Sequence, residues 1–152
     1  MKILIQNGYV LDPESKQEGI RDVLIQDNRI VQVAEHIVEA VDQVLDATGC
    51  YVMPGFIDLH VHLRDPGLEY KETLETGGMA GARGGVTTLC AMPNTKPITD
   101  SGEKVAKVHQ RAKTECPVNV IQIGAITVGQ QGEELADIAG MAQAGCHAIS
   151  ED

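Results

Sequence analysis

Phe56-Ile57-Asp58-Leu59-His60-Val61-His62-Leu63-Arg64-Asp65-Pro66-Gly67 is the stretch on which the reading of this chain turns. Val52 and Met53 lead into Pro54-Gly55, which punctuates its entry. The run begins as a strand and ends as a polar loop. Side chains alternate across a strand, so Asp58, His60 and His62 share one face; Ile57, Leu59, Val61 and Leu63 share the other. The nearly continuous apolar face predicts a buried strand. Two buried imidazoles without partners would be costly, and a shared metal ion removes that cost. Imidazole suits zinc and similar divalent ions. Arg64 follows, with a planar cation suited to a carboxylate.

Working outward, strands are predicted near 56–63, 86–92, 118–126 and 146–150, with helices over 70–83, 101–114 and 131–144 between them. Such alternation indicates βα units and a parallel sheet. The expected fold class is α/β, the first half of a (β/α)8 TIM-type barrel, a fold that needs eight strands and typically about 250 residues. Residues 1–53 precede it as a small β-sandwich module. There, Asn7-Gly8 reads as a hairpin turn, Asp27-Asn28 as a second turn, and 42–47 and 50–53 as short strands around Thr48-Gly49. The expected domains are therefore 1–53, the β module, and 54–152, the first four βα units. A half-barrel leaves two open edges of a parallel sheet, so a truncated part of a longer protein is expected.

The formal net charge of −10 argues against nucleic acid or an anionic membrane as partner. It also requires any anion site to be locally positive. With no Trp and one Phe, there is no aromatic platform for single-stranded nucleic acid. Cys50, Cys90, Cys116 and Cys146 form no C-x-x-C and read as reduced thiols of a cytoplasmic protein. No apolar run approaches the length of a membrane span, and no apolar leader is visible.

In a barrel, active-site groups gather at the C-terminal strand ends. His60, His62 and Arg64 fall at the first such end, Asn94 at the second, and Glu151-Asp152 at the fourth. Asp58 sits one pair deeper, where it orients a ligand or lines the barrel floor. His36 and His109 lie on polar stretches and read as solvated.

The run from Asp58 to Gly67, followed by Lys71-Glu72-Thr73 and by Met92-Pro93-Asn94-Thr95, resembles the dihydroorotase family of the amidohydrolase superfamily, most closely its bacterial type I members. The resemblance covers essentially the whole chain. It implies a zinc-dependent cyclic amidohydrolase that interconverts dihydroorotate and N-carbamoyl-aspartate in pyrimidine synthesis. It implies one or two Zn2+ ions, with His60 and His62 as ligands and Asp152 as a bridging carboxylate. Glu151 stands where the family's motif has its first acid, so only Asp152 is carried over. The family's contacts to the substrate carboxylate map onto Arg64 and Asn94. Its acid–base carboxylate and two further histidine ligands lie beyond Asp152, so no catalytic residue is expected within the chain, and the chain alone should be inactive. Implied partners, besides the small-molecule substrate, are a second copy of the chain or aspartate transcarbamoylase.

Three rivals have distinct signatures. An allantoinase or hydantoinase often bridges its metals with a carbamylated lysine at strand four, but no lysine follows Cys116. A non-catalytic scaffold of a transcarbamoylase would not need His60, His62, Arg64 and Asn94 together. A small metal-binding β/α protein complete as written is disfavoured by the open sheet edges.

Overall fold

The computed structural model describes residues 1–151. The chain divides into two compact units, Met1–Pro54 and a second from Gly55 onward.

The first unit is a five-stranded sheet. Strand β1 (Lys2–Asp12) pairs antiparallel with β2 (Gln17–Gln26), and β2 pairs antiparallel with β3 (Arg29–Ala34). β4 (Gln43–Asp46) and β5 (Tyr51–Val52) both run parallel to β1. The hairpin expected at Asn7-Gly8 is absent. Asn7 takes φ 62°, and the β1–β2 register shifts between Ile5 and Gly8. The left-handed tolerance of Asn makes a bulge here, within one continuous strand. The Asn7 amide donates to buried Asp22 at 2.9 Å, and the Ile37 amide donates to the same carboxylate at 3.0 Å. Burial pushes the Asp22 pKa up, but the two amides and His36 outweigh it, so the net shift is downward. Asp27 and Asn28 do form the tight turn, with φ 48° and 65°. The described residues build one sheet where a sandwich was expected. Its core, Leu4 and Leu24, is covered by Ile37 and Val41 of the segment after β3, so a loop supplies the second layer.

The second unit alternates strand and helix. Its elements are β6 (Phe56–Val61), α1 (Leu74–Arg83), β7 (Val86–Ala91), α2 (Gly102–Glu115), β8 (Asn119–Gln122), β9 (Gly124–Ala125), α3 (Ile138–Gln143) and β10 (Ile149–Ser150). β6, β7 and β8 form a parallel sheet in that order, and β9 pairs parallel with β10. Helix α1 starts four residues later than expected because Thr73 caps it. The Thr73 hydroxyl accepts from the Thr76 amide, and the Thr76 hydroxyl accepts from the Thr73 amide. α3 is much shorter than the predicted 131–144. Val128–Gln130 form one 3-10 turn, Thr127 bridges Leu135, and the helix begins only after Asp137, whose side chain accepts from the Gly140 amide.

β7 is buried on both faces. Leu89 and Ala91 pack with Leu63, Leu74, Val108 and Ala112, while Cys90 and Met92 pack with Ile123. Fully burying one such leucine contributes about 1.5–3 kcal/mol. β6 differs from the expectation. Ile57 and Leu59 are 60% and 74% exposed. Among the described residues β6 is an edge strand with only β7 beside it; Ile57 and Leu59 are left uncovered, while Val61 and Leu63 further along the same face reach the core.

Candidate functional site

The two histidines of the opening stretch come together, though not by simple alternation. The β6–β7 register shifts between Asp58 and Val61, so a bulge falls at Leu59 and His60. Asp58 Oδ1 accepts from the His60 amide at 3.0 Å and holds that bulge. The Asp58 side chain therefore acts on the His60 backbone. His60 Nε2 then lies 3.3 Å from His62 Nε2, with the rings 70° apart. His62 Nδ1 lies 3.0 Å from Asn94 Oδ1. A carbonyl oxygen only accepts, so His62 carries its proton on Nδ1 and turns the Nε2 lone pair toward His60.

This donor set fits a metal ion. Two imidazole nitrogens, each 2.0–2.1 Å from one tetrahedral ion, are about 3.3 Å apart. A ligating histidine whose other nitrogen donates to an oxygen is the usual supporting arrangement. Among the described residues, no group of three His, Cys, Asp or Glu side chains converges on one point. Asp152, the third expected ligand, lies outside the described residues.

Arg64 sits in the loop after β6, half-buried, with φ 61°. Its neighbour Asp65 is buried, and Arg111 of α2 grips it with Nη1 at 2.5 Å and Nη2 at 3.2 Å. Asp65 also accepts from the Leu74 amide at the start of α1. The loop after β7 carries Asn94. It is fastened by the Thr95 hydroxyl, 2.8 Å from the Pro97 carbonyl and 2.9 Å from the Thr99 hydroxyl. The two loops interlock: the Lys96 amide donates to the Pro66 carbonyl at 2.8 Å, and Gly67 lies so close to the Lys96 carbonyl that a Cβ would collide with it.

Other residues of the signature turn out to be structural. Glu72 accepts from the Thr73 amide and the Thr76 hydroxyl, which strengthens the cap of α1. Glu151 accepts from the Ile126 and Thr127 amides and from the Thr127 hydroxyl, tying the chain just before Asp152 to the segment after β9. All four cysteines are free thiols: Cys90 and Cys146 are buried, Cys116 is half-buried and Cys50 is exposed. Burial, with Asp58 adding to it, pushes the Cys90 thiol pKa up.

Sequence reasoning missed two residues. His109 was expected to be solvated. Instead its Nε2 accepts from the Gln122 amide at 2.9 Å, and its Nδ1–H donates to the Ala144 carbonyl at 3.1 Å. Burial lowers its pKa. The signal was available: His109 follows Val105 by four positions and precedes Ala112 by three, which places it beside the buried stripe of α2. Arg111 was missed because its partner Asp65 is 46 positions away. Glu115 and Asp65 together raise the Arg111 pKa.

The fold and the paired imidazoles define a class: a parallel β/α layer that brings two histidine side chains together at the end of a strand. In agreement, the structure resembles the L-hydantoinase (dihydropyrimidinase) from Arthrobacter aurescens, with a TM-score of 0.75 and 25% identity over 82% of this chain and 28% of that one. The dihydro-orotase-like family matches residues 49–152, and the chain belongs to that family. It is 51% identical over its whole length to a dihydroorotase of Solibacter usitatus and 49% identical to one of Syntrophotalea carbinolica. It spans 35% and 36% of the length of those relatives.

Proposed function

We propose that this chain supplies the N-terminal part of a metal-dependent cyclic amidohydrolase acting on dihydroorotate. The observation that carries the reading is the meeting of His60 and His62 Nε2 at 3.3 Å, with Asn94 fixing the His62 tautomer. In this reading β6 to β10 belong to the first four strands of a (β/α)8 barrel, and residues 1–53 are a supporting β module. His60, His62 and Asp152 would hold one or two zinc ions. A divalent ion there would polarise an amide carbonyl and lower the pKa of a water molecule. The chain's own groups do the positioning. Asp58 sets the His60 backbone, Asn94 orients His62, and Arg64 presents a planar cation to the substrate carboxylate. Arg64 also provides the local positive charge that a chain of net charge −10 needs to hold an anion. The proton-transferring carboxylate is expected in the part of the protein that this chain does not span, so the 152-residue chain alone should not turn over substrate. Pyrimidine synthesis in the cytoplasm is the corresponding role.

A hydantoinase-like activity is the second reading, favoured by the structural likeness to L-hydantoinase. Comparing turnover of dihydroorotate, allantoin and dihydrouracil by the complete protein, together with its zinc content, separates the two. Turnover of dihydroorotate with bound zinc supports the first reading. Preference for dihydrouracil supports the second, and absence of both metal and turnover leaves only a scaffold role.

A further inference from the structure

Arg64 is held in a backbone conformation that L residues resist. Its φ of 61° lies in the left-handed region, where a Cβ crowds the backbone. Such a conformation persists only where its surroundings over-determine it. Here the surroundings are Asp65, whose side chain is 2% exposed. One Asp65 oxygen accepts from Arg111 Nη1; the other accepts from Arg111 Nη2 and the Leu74 amide. Arg111 is in turn braced within its own helix. Its Nε donates to Glu115 Oε1 at 3.0 Å and its Nη2 to Glu115 Oε2 at 2.6 Å. The guanidinium thus has one edge fixed on α2 and one edge holding the loop.

We propose that Arg111 is a positioning residue for Arg64, acting through Asp65 and setting how the site grips a substrate carboxylate. The inference rests on the reading of Arg64 as that grip. His60 and His62 are anchored separately, by Asp58 and Asn94. Loss of Arg111 therefore loosens the carboxylate grip and leaves the imidazole pair in place. A lysine at 111 keeps the charge but loses the planar fork, so it restores the brace only in part.

The test is steady-state kinetics with dihydroorotate on the complete protein, comparing Arg64→Met, Arg111→Met, Arg111→Lys and the double variant Arg64→Met/Arg111→Met. Arg111→Met should raise KM about tenfold, with kcat changed by less than about twofold. Arg111→Lys should fall between it and the parent. In the Arg64→Met background, adding Arg111→Met should move KM by less than about twofold, since the two act as one unit. An equal KM effect in both backgrounds, or a fall in kcat at constant KM, overturns the proposal. If Arg111→Met does not fold, Arg111→Lys completes the same cycle. Should Arg64→Met itself leave KM unchanged, the carboxylate reading of Arg64 fails, and this inference fails with it. Should Arg64→Met raise KM while Arg111→Met does not, only this inference fails.

Discussion

His62 Nδ1 and Asn94 Oδ1 lie 3.0 Å apart, although 32 positions separate them in the chain. The contact joins the ends of two neighbouring strands and decides which nitrogen of His62 faces His60. Replacing Asn94 by Ala removes the acceptor and frees the ring to rotate and change tautomer. Zinc affinity of the complete protein should fall by about 10–100-fold, as measured by competition with a chromophoric chelator. Asn94→Asp keeps an acceptor oxygen and should hold affinity close to the parent. Equal affinity in all three proteins would show that the ring is oriented by something else.

The imidazole pair itself makes a blunter prediction. His60→Ala and His62→Ala should each lower bound zinc in the purified complete protein well below the parent's content, by elemental analysis. Folding should survive, because His60 is exposed and neither ring belongs to an apolar core cluster. Full zinc content in both variants would remove these residues from the metal site.

His109 predicts a pH dependence whose sign can be worked out. Burial lowers its pKa below the ordinary value of 6.5, so the unfolded chain binds the proton more readily. Stability from this group is therefore fully present above the unfolded value and is lost as pH falls below it. Protonation also cancels the lone pair that accepts the Gln122 amide. The urea midpoint of the chain should drop between pH 7.5 and pH 5.5 more than that of a His109→Gln variant. Parallel shifts in the two proteins would show that His109 does not carry the effect.

Gly67 and Gly132 both have positive φ, 93° and 74°, but their surroundings differ. A Cβ at Gly67 would strike the Lys96 carbonyl, whereas nothing lies within 4 Å at Gly132. Gly132→Ala should cost only the conformational penalty, about 1–2 kcal/mol. Gly67→Ala adds a backbone clash between the two site loops and should cost clearly more, by chemical denaturation. Equal losses would mean that the loops can move apart freely.

Much of the second unit was legible in local pattern. The period-two run at 56–63, the β-rich run at 86–92 and the amphipathic spacing at 101–114 each lie close to an observed element. What failed was decided by competition beyond the local segment. Asn7-Gly8 has hairpin chemistry, but β2 continues to pair with β1 on both sides of it, so the left-handed residue is absorbed as a bulge. Residues 131–137 look helical, yet Thr127 pairs with Leu135 and Asp137 caps the helix that follows. The burial expected for β6 rested on its apolar alternation alone, whereas Ile57 and Leu59 are exposed on a strand with one neighbour.

The sequence by itself determined which chemistry is present: two imidazoles two positions apart, a cation after them, an amide after the next strand. It could do so because strand alternation and turn preference depend on residues adjacent in the chain. Only the tertiary structure decided how those groups are held. Asp58 turning the His60 backbone, Asn94 selecting the His62 tautomer and Arg111 clamping Asp65 all depend on bulges, strand pairing and loop packing. Those contacts reach up to 46 positions along the chain, and no local pattern encodes which distant partner a polar side chain will meet.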